Sequence, residues 1–211
     1  QGETDKERDI HDFKKFDGQP FSARLYAELL KTAGVDEVYT VHNHSISVYR
    51  IFQKQMNGSF FDLQPDDLFA SYIKDSDVVN EDQLVLCAPD KGALSFVRKV
   101  KKELGRDSIP MVYMDKQRSD ERQVNVVMAR DSDISLEEIK GKDVAVVDDM
   151  VRTGNTIMET CHVLKNAGAN RIVFFVTHFY SSRECRVNLN DLVLDEIVTT
   201  STIPEILNRD V

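Results

Sequence analysis

LVLCAPDKGALSFVRKVKKELG, residues 84–105, contains a strand, a turn and a helix, and this order predicts the fold. Its first five residues are an apolar run that lacks the polar alternation of a strand with one side in water. From Gly92 onward, apolar residues such as Leu94 and Val97 fall on one face of a helix that should end at Gly105. A buried strand followed by an amphipathic helix is typical of a parallel sheet covered by helices.

The same order recurs along the chain. Apolar strand-like runs occupy residues 37–41, 111–114, 144–147 and 171–178. Helix-like patterns occupy residues 20–34, where Phe21, Leu25 and Leu29 share one face, and the segment through Ile157, Cys161 and Leu164. We therefore predict an α/β fold with a parallel sheet flanked by helices on both faces and right-handed connections.

Polar or ionisable residues follow each predicted strand. In parallel sheets ligands bind at the carboxyl ends of the strands, so these residues are the candidates for a site. They are His42–His44, Pro89–Gly92, Asp115–Arg118, Asp148 with Asp149, and Thr177 with His178.

Composition excludes several classes of function. The formal net charge of -9 argues against a nucleic-acid-binding surface. The apolar runs are too short to span a bilayer, and the amino end QGETDKERD is unlike a signal peptide. The 3 cysteines have no metal-binding or disulfide spacing, which indicates buried thiols in a reducing, cytoplasmic compartment.

The stretch VVDDMVRTGNT, residues 146–156, combines two kinds of polar group. The adjacent carboxylates of Asp148 and Asp149 suit a vicinal diol such as that of a ribose. The small residues after them enter a helix, whose unpaired N–H groups suit a phosphate. The stretch predicts a sugar-phosphate site, although a simple capped turn with an exposed acidic pair would have the same pattern.

Five motifs resemble those of a known family. VAVVDDMVRTGNT resembles the signature for phosphoribosyl pyrophosphate (PRPP), which type I phosphoribosyltransferases share with ribose-phosphate pyrophosphokinases. The other motifs are similar to the pyrophosphokinases, in the same order along the chain. They are QPFSARLYAELLKTAGVDEVYTVHNHS (19–45), LCAPDKGA (86–93), DKQRSDERQVNVVM (115–128) and VTTSTIP (198–204).

The resemblance implies a phosphoribosyltransferase-like fold and the magnesium-dependent transfer of pyrophosphate from ATP to ribose 5-phosphate, giving PRPP and AMP. It also implies site residues. Asp148, Asp149 and Asp90 would hold the ribose, His44 and Asp90 would bind Mg²⁺, and Lys116 and Arg118, on a mobile loop, would neutralise the transferring phosphoryl groups. The 5-phosphate would be held by Thr153, Gly154, Asn155 and Thr156.

The resemblance also implies domains and partners. Residues 1–46 would be the end of an incomplete first domain of similar fold, 47–83 a connecting segment and 84–211 the sugar-phosphate domain. The chain would self-associate, with neither nucleic acid nor membrane as a partner. Some positions depart from the family pattern, among them Glu3 and Thr4 in the ATP region, Lys91 beside Asp90, and Arg152 in the phosphate loop.

Two other functions agree with these residues. A PRPP-consuming phosphoribosyltransferase would share residues 146–156. A catalytically silent homologue would bind ribose phosphate and associate with an active enzyme.

Overall fold

The computed structural model describes residues 22–118, 124–179 and 183–203, without the side chains of 116–118, 124–125 and 183–185. Contacts divide the chain into two compact units, Gln1–Gln64 and Pro65–Val211. The first unit combines helices with a parallel pair of strands, and the second combines helices with a larger sheet. The predicted α/β class is confirmed.

The first unit contains a two-stranded parallel sheet and two helices. The elements are α1 (Ser22–Thr32), β1 (Val38–Val41), α2 (Ile46–Gln55) and β2 (Phe60–Leu63). Its core consists of Ala27, Phe52, Met56 and Phe60. The ring centroids of Phe52 and Phe60 are 4.9 Å apart, so these two side chains join α2 to β2.

The packed face of α1 differs from the predicted apolar face. Leu25 and Leu29 are 48% and 56% exposed, whereas Ala27 is fully buried. Leu30 packs at the edge of the same core. The small Ala27 allows α1 to approach its neighbours closely. The spacing of large apolar residues does not predict that this face of α1 is the buried one. Phe21 lies outside the described residues.

The second unit is a six-stranded sheet with helices on both faces. Its helices are α3 (Asp66–Asp75), α4 (Leu94–Leu104), α5 (Asn155–Asn166) and α6 (Arg183–Leu189). Its strands are β3 (Leu84–Ala88), β4 (Met111–Arg118), β5 (Val124–Met128), β6 (Asp143–Val151), β7 (Arg171–Phe179) and β8 (Glu196–Thr199). The spatial order is β5-β4-β3-β6-β7-β8, and only the β4–β5 pair is antiparallel within the described sheet.

Two apolar clusters pack on the two faces of this sheet. On one face, α3 and α4 contribute Phe69 and Val97 to a cluster that includes Phe175 of β7. On the other face, α5 contributes Leu164 to a cluster that includes Phe174. Neighbouring residues of β7 therefore enter opposite cores, which is why this strand is apolar without alternation. The prediction of a sheet covered on both faces is confirmed.

Several elements of the structure are not among those predicted from the sequence. They are α2, β2, β5, α6 and β8. The segment 47–83, predicted to connect two domains, contains β2, most of α2 and all of α3. The roles assigned to residues 1–46 and 84–211 remain predictions.

The order of the strands places a topological switch point between β3 and β6. From β3 the chain moves outward to β4, and from β6 it moves the other way to β7 and β8. The turns that leave β3 and β6 therefore diverge, and a crevice opens between them at the carboxyl ends of the strands. Such crevices are the usual ligand sites of open parallel sheets.

The thiols of Cys87 and Cys161 are free and buried. Burial raises the pKa of both thiols, so neither is a reactive thiolate at neutral pH. The prediction of buried thiols is confirmed for these two residues; the side chain of Cys185 lies outside the described structure. Within the described ranges, no helix has the length and apolar character needed to cross a membrane.

Candidate functional site

The strand β6 extends past the end of β3. Its pairing with β3 runs from Asp143 to Val146, whereas its pairing with β7 continues to Val151. On the side away from β7, the last residues of β6 therefore border the turn after β3 and pair with no strand of the described sheet. Asp148 and Asp149 lie in this extension, inside the strand and not beyond it as predicted.

Two adjacent aspartates, Asp148 and Asp149, lie at this edge. Both are half-buried, and the N–H of Asp149 donates to Oδ1 of Asp148 at 2.9 Å. Burial raises the pKa of the Asp148 carboxyl to about 8, with further contributions from the charges of Asp149 and Asp90. A protonated Asp148 can donate a hydrogen bond, whereas a carboxylate only accepts them. The pair therefore suits two hydroxyls of one sugar, which need both a donor and acceptors.

The turn after β6 leads directly into α5. Gly154 has φ +79°, in the left-handed region that favours glycine, and α5 begins at Asn155. Gly154 has no side-chain oxygen to cap the helix, so the first turn keeps N–H groups for an anion. Arg152, Thr153 and Asn155 are exposed, Thr156 is partly buried, and Gly154 is buried. The four residues predicted to hold the 5-phosphate thus lie together at this helix end.

Asp90 lies across the switch point, in the turn after β3. Its Oδ1 accepts hydrogen bonds from the N–H groups of Gly92 at 2.8 Å and Ala93 at 3.2 Å. These bonds hold the carboxylate against the start of α4. The effect of its charge on the pKa of Asp148 places Asp90 within electrostatic reach of the acidic pair. The structure therefore brings the predicted ribose residues Asp90 and Asp148 to one crevice.

The donors at this crevice fit a divalent cation of the magnesium type. Mg²⁺ prefers oxygen ligands and usually keeps several waters, with one or two carboxylates and the substrate phosphates completing the shell. Asp90 supplies such oxygens. No group of three or more metal-binding side chains occurs among the described residues, so most of the ligands would come from water and substrate.

Lys116 and Arg118 lie in β4, and the prediction that they are on a loop is wrong. The backbone of Lys116 pairs with Val126 of β5, and that of Arg118 pairs with Val124. Residues 115–128 are rich in charge, so this antiparallel hairpin was not predicted from the sequence. The side chains of Lys116 and Arg118 lie outside the description, so their catalytic role remains a prediction.

His44 belongs to the first unit and is exposed in the turn between β1 and α2. The sequence analysis missed Asp62, which holds this turn. Oδ1 of Asp62 accepts from the N–H of Asn43 at 2.9 Å and from the hydroxyl of Thr40 at 3.0 Å. The short run FFDL could have signalled a strand with an inward carboxylate. The role of His44 as a metal ligand remains a prediction.

The ends of β7 and β8 are tied together by hydroxyl groups. The carbonyl of Thr177 accepts from the hydroxyls of Thr200 at 2.7 Å and Thr202 at 3.0 Å. Thr202 Oγ1 also lies 2.9 Å from Nδ1 of His178. Thr177 and His178 lie inside β7 and not after a strand as predicted, and these contacts tie the end of β7 to the segment after β8.

Comparison with known proteins agrees with this geometry. A model of the phosphoribosyl transferase domain matches residues 65–207. The chain is 35% identical over 188 residues to a ribose-phosphate pyrophosphokinase of Corynebacterium efficiens, covering 89% of this chain and 54% of the relative. Identity is 32% over 187 residues to the ribose-phosphate pyrophosphokinase of Shewanella oneidensis, covering 88% and 54%. The chain thus spans about half the length of the curated relatives it matches.

A solved structure shows the same fold. The phosphoribosylpyrophosphate synthetase from Mycobacterium smegmatis superposes with a TM-score of 0.70 and 29% sequence identity, over 92% of this chain and 58% of that one. The matched domain contains β3, β6 and α5, which form the crevice described above. The resemblance to ribose-phosphate pyrophosphokinases is confirmed, and the chain belongs to the phosphoribosyl transferase domain family.

Proposed function

We propose that this chain takes part in the magnesium-dependent transfer of pyrophosphate from ATP to ribose 5-phosphate. The anomeric hydroxyl oxygen of the sugar attacks the β-phosphorus of ATP, the bond between that phosphorus and the α–β bridging oxygen breaks, and the hydroxyl proton leaves to solvent. The products are PRPP and AMP. The observation that carries the proposal is the acidic pair of β6, flanked by Asp90 on one side and the amino end of α5 on the other.

The sugar phosphate would bind across this crevice. Asp148 and Asp149 would take the ribose hydroxyls, and Asp148 can donate a hydrogen bond when it is protonated. Thr153, Gly154, Asn155 and Thr156 would surround the 5-phosphate at the end of α5, where the helix dipole favours negative charge. This arrangement leaves the anomeric hydroxyl free to react, because the protein holds the sugar by its other oxygens.

The reacting phosphates need positive charge. When bound, Mg²⁺ would neutralise the phosphate oxygens of ATP, and Asp90 is the residue of this crevice proposed to hold it. The role of His44, which belongs to the first unit, stays a prediction. Lys116 and Arg118 are proposed to add positive charge on the transferring group. Phosphoryl transfer requires little more of a protein than such positioning and electrostatic stabilisation.

The test is an assay of AMP release with ATP, ribose 5-phosphate and Mg²⁺, on this chain and on any longer natural product that contains it. Equal amounts of AMP and PRPP would support the proposal, and the Asp149→Ala variant should form neither. Calorimetric binding of ribose 5-phosphate without AMP release would instead identify a silent homologue. The departures at Glu3 and Thr4 keep that alternative open.

A PRPP-consuming transferase is the second candidate, favoured by the phosphoribosyl transferase domain match. It would release pyrophosphate from PRPP in the presence of a nitrogenous base and would form no AMP from ATP. The same product analysis therefore separates the two enzymes.

We further propose that the chain works as a homo-oligomer in the cytoplasm, with residues 84–211 as the sugar-phosphate domain. The resemblance to ribose-phosphate pyrophosphokinases supports this proposal. A molecular mass equal to that of a single chain in light scattering would contradict self-association.

A further inference from the structure

Lys91 joins two parts of the crevice. It follows Asp90 in the turn after β3, and its Nζ lies 3.1 Å from Oδ2 of Asp115 in β4. Asp115 in turn precedes Lys116, which is proposed to act on the phosphoryl groups. One ion pair therefore connects the immediate neighbours of two proposed site residues, one on each side of the β3–β4 boundary.

The charge of Lys91 also acts on a second carboxyl group. Asp131, in the segment after β5, accepts a hydrogen bond from the hydroxyl of Tyr113 in β4. That hydrogen bond is the main cause of the lowered pKa of Asp131, and the charge of Lys91 contributes to it. The segment that carries Asp131 is tied to β4, because the N–H of Ala129 donates to the carbonyl of Tyr113 at 2.9 Å.

The Lys91–Asp115 ion pair is exposed to water, which limits its effect on the stability of the unit. The side chains of Lys91 and Asp115 are 62% and 41% exposed, so the ion pair is screened by water and contributes little to the stability of the whole unit. On the β4 side, the ion pair links the turn at Asp90 to the strand through side chains. An exposed pair can therefore set the position of this turn without being required for folding.

We propose that Lys91 is a positioning residue, whose ion pair with Asp115 holds the turn that carries Asp90 in register with the strand that carries Lys116. This inference rests on the proposed pyrophosphate transfer, because it concerns the alignment of two groups for that reaction. A displacement of about 1 Å between such groups can lower turnover by about a hundredfold while substrate affinity changes little. The departure from the family pattern at Lys91, beside Asp90, has a physical role under this proposal.

The first experiment measures backbone hydrogen exchange on the full chain. Lys91→Met and Asp115→Asn should each speed the exchange of amides in residues 89–93 and 111–118 by about twofold to fivefold, as expected for an exposed pair. The double variant should exchange no faster than either single variant, and Lys91→Arg should retain most of the protection. Lys102→Met, which removes the same charge from an exposed site on α4, is the matched control.

Additive effects of the two substitutions, unchanged exchange in both segments, or an equal effect of Lys102→Met would each overturn the proposal. This result stands even if the wild-type chain releases no AMP. Failure of the proposed function is therefore distinguishable from failure of the ion pair.

The second experiment uses the kinetics of AMP release. Lys91→Met and Asp115→Asn should lower kcat by about tenfold and change KM for ribose 5-phosphate by less than about twofold, with Lys91→Arg near the wild type. A loss confined to KM would show that Lys91 binds substrate directly, which would overturn the positioning role.

Discussion

The N–H of Gly92 donates to Oδ1 of Asp90 at 2.8 Å, and a methyl group at Gly92 would lie 3.1 Å from the same oxygen. The backbone of Gly92 is outside the left-handed region, so alanine is compatible with its conformation. A side chain at this position would therefore disturb Asp90 and little else. The glycine is required by the close approach of a carboxylate and not by backbone strain.

Gly92→Ala should weaken the binding of ribose 5-phosphate by about threefold to tenfold, because the Asp90 carboxylate must move by a few tenths of an ångström. The thermal midpoint should stay close to that of the wild type. Calorimetry with the sugar phosphate measures the first effect and circular dichroism the second. If the effect acts through Asp90, adding Gly92→Ala to Asp90→Ala should cause no further loss; an independent loss would contradict this explanation.

Gly154→Ala should destabilise the chain by about 1 kcal/mol and also reduce its preference for ribose 5-phosphate over ribose. The cost arises because φ is +79°, and the change in preference arises because the turn presents the N–H groups of α5. Gly105→Ala is the control, since Gly105 has φ +69° and no atom within 4 Å of an added Cβ. Both variants should lose similar stability in urea unfolding, but the Gly105 variant should keep the phosphate preference.

Asp148→Asn should change the pH dependence of stability. The pKa of Asp148 is raised from 3.8 to about 8 in the folded state. Between these two pH values the carboxyl group is ionised in the unfolded state and protonated in the folded state. Below the lower value both states are protonated, and stability is lost as the pH rises toward the upper value. Relative to the wild type, the free energy of unfolding of Asp148→Asn should therefore rise by on the order of 5 kcal/mol between about pH 4 and about pH 8. A flat or reversed difference in urea unfolding would refute the raised pKa.

Asp149→Ala should weaken ribose 5-phosphate binding by about tenfold to a hundredfold, the usual effect of losing a hydrogen bond to a charged group. The fold should remain intact because the side chain lies at the carboxyl edge of β6, beyond the fully buried segment. Calorimetry measures the loss, and Glu159→Gln on the exposed face of α5 is the control. Unchanged binding in Asp149→Ala would remove the acidic pair from the site.

Lys116→Ala should lower kcat for AMP release by about a hundredfold with little change in KM, if the ammonium group acts on the charge that develops during phosphoryl transfer. Steady-state kinetics with both substrates varied separates the two constants. The control is Lys102→Ala on α4. A pure rise in KM would assign Lys116 to substrate binding instead.

The sequence was sufficient to predict the fold class and to place the candidate site at one edge of the sheet. The strands β3 and β7 were recognised because both of their faces are buried, which makes them continuous apolar runs. The helices α4 and α5 were recognised because their apolar residues repeat with the helical period and because Gly105 and Gly168 follow them. These signals are local, so they can be found without knowledge of the partners.

The full length of β4 and β6 could be known only from the tertiary structure, because polar residues such as Asp115 and Asp149 become strand residues by pairing with a neighbouring strand. The neutral state of Asp148 and the Lys91–Asp115 ion pair also depend on residues that are distant in sequence. Burial and charge act through space, so their effects arise only once the strands are assembled in the order β4-β3-β6.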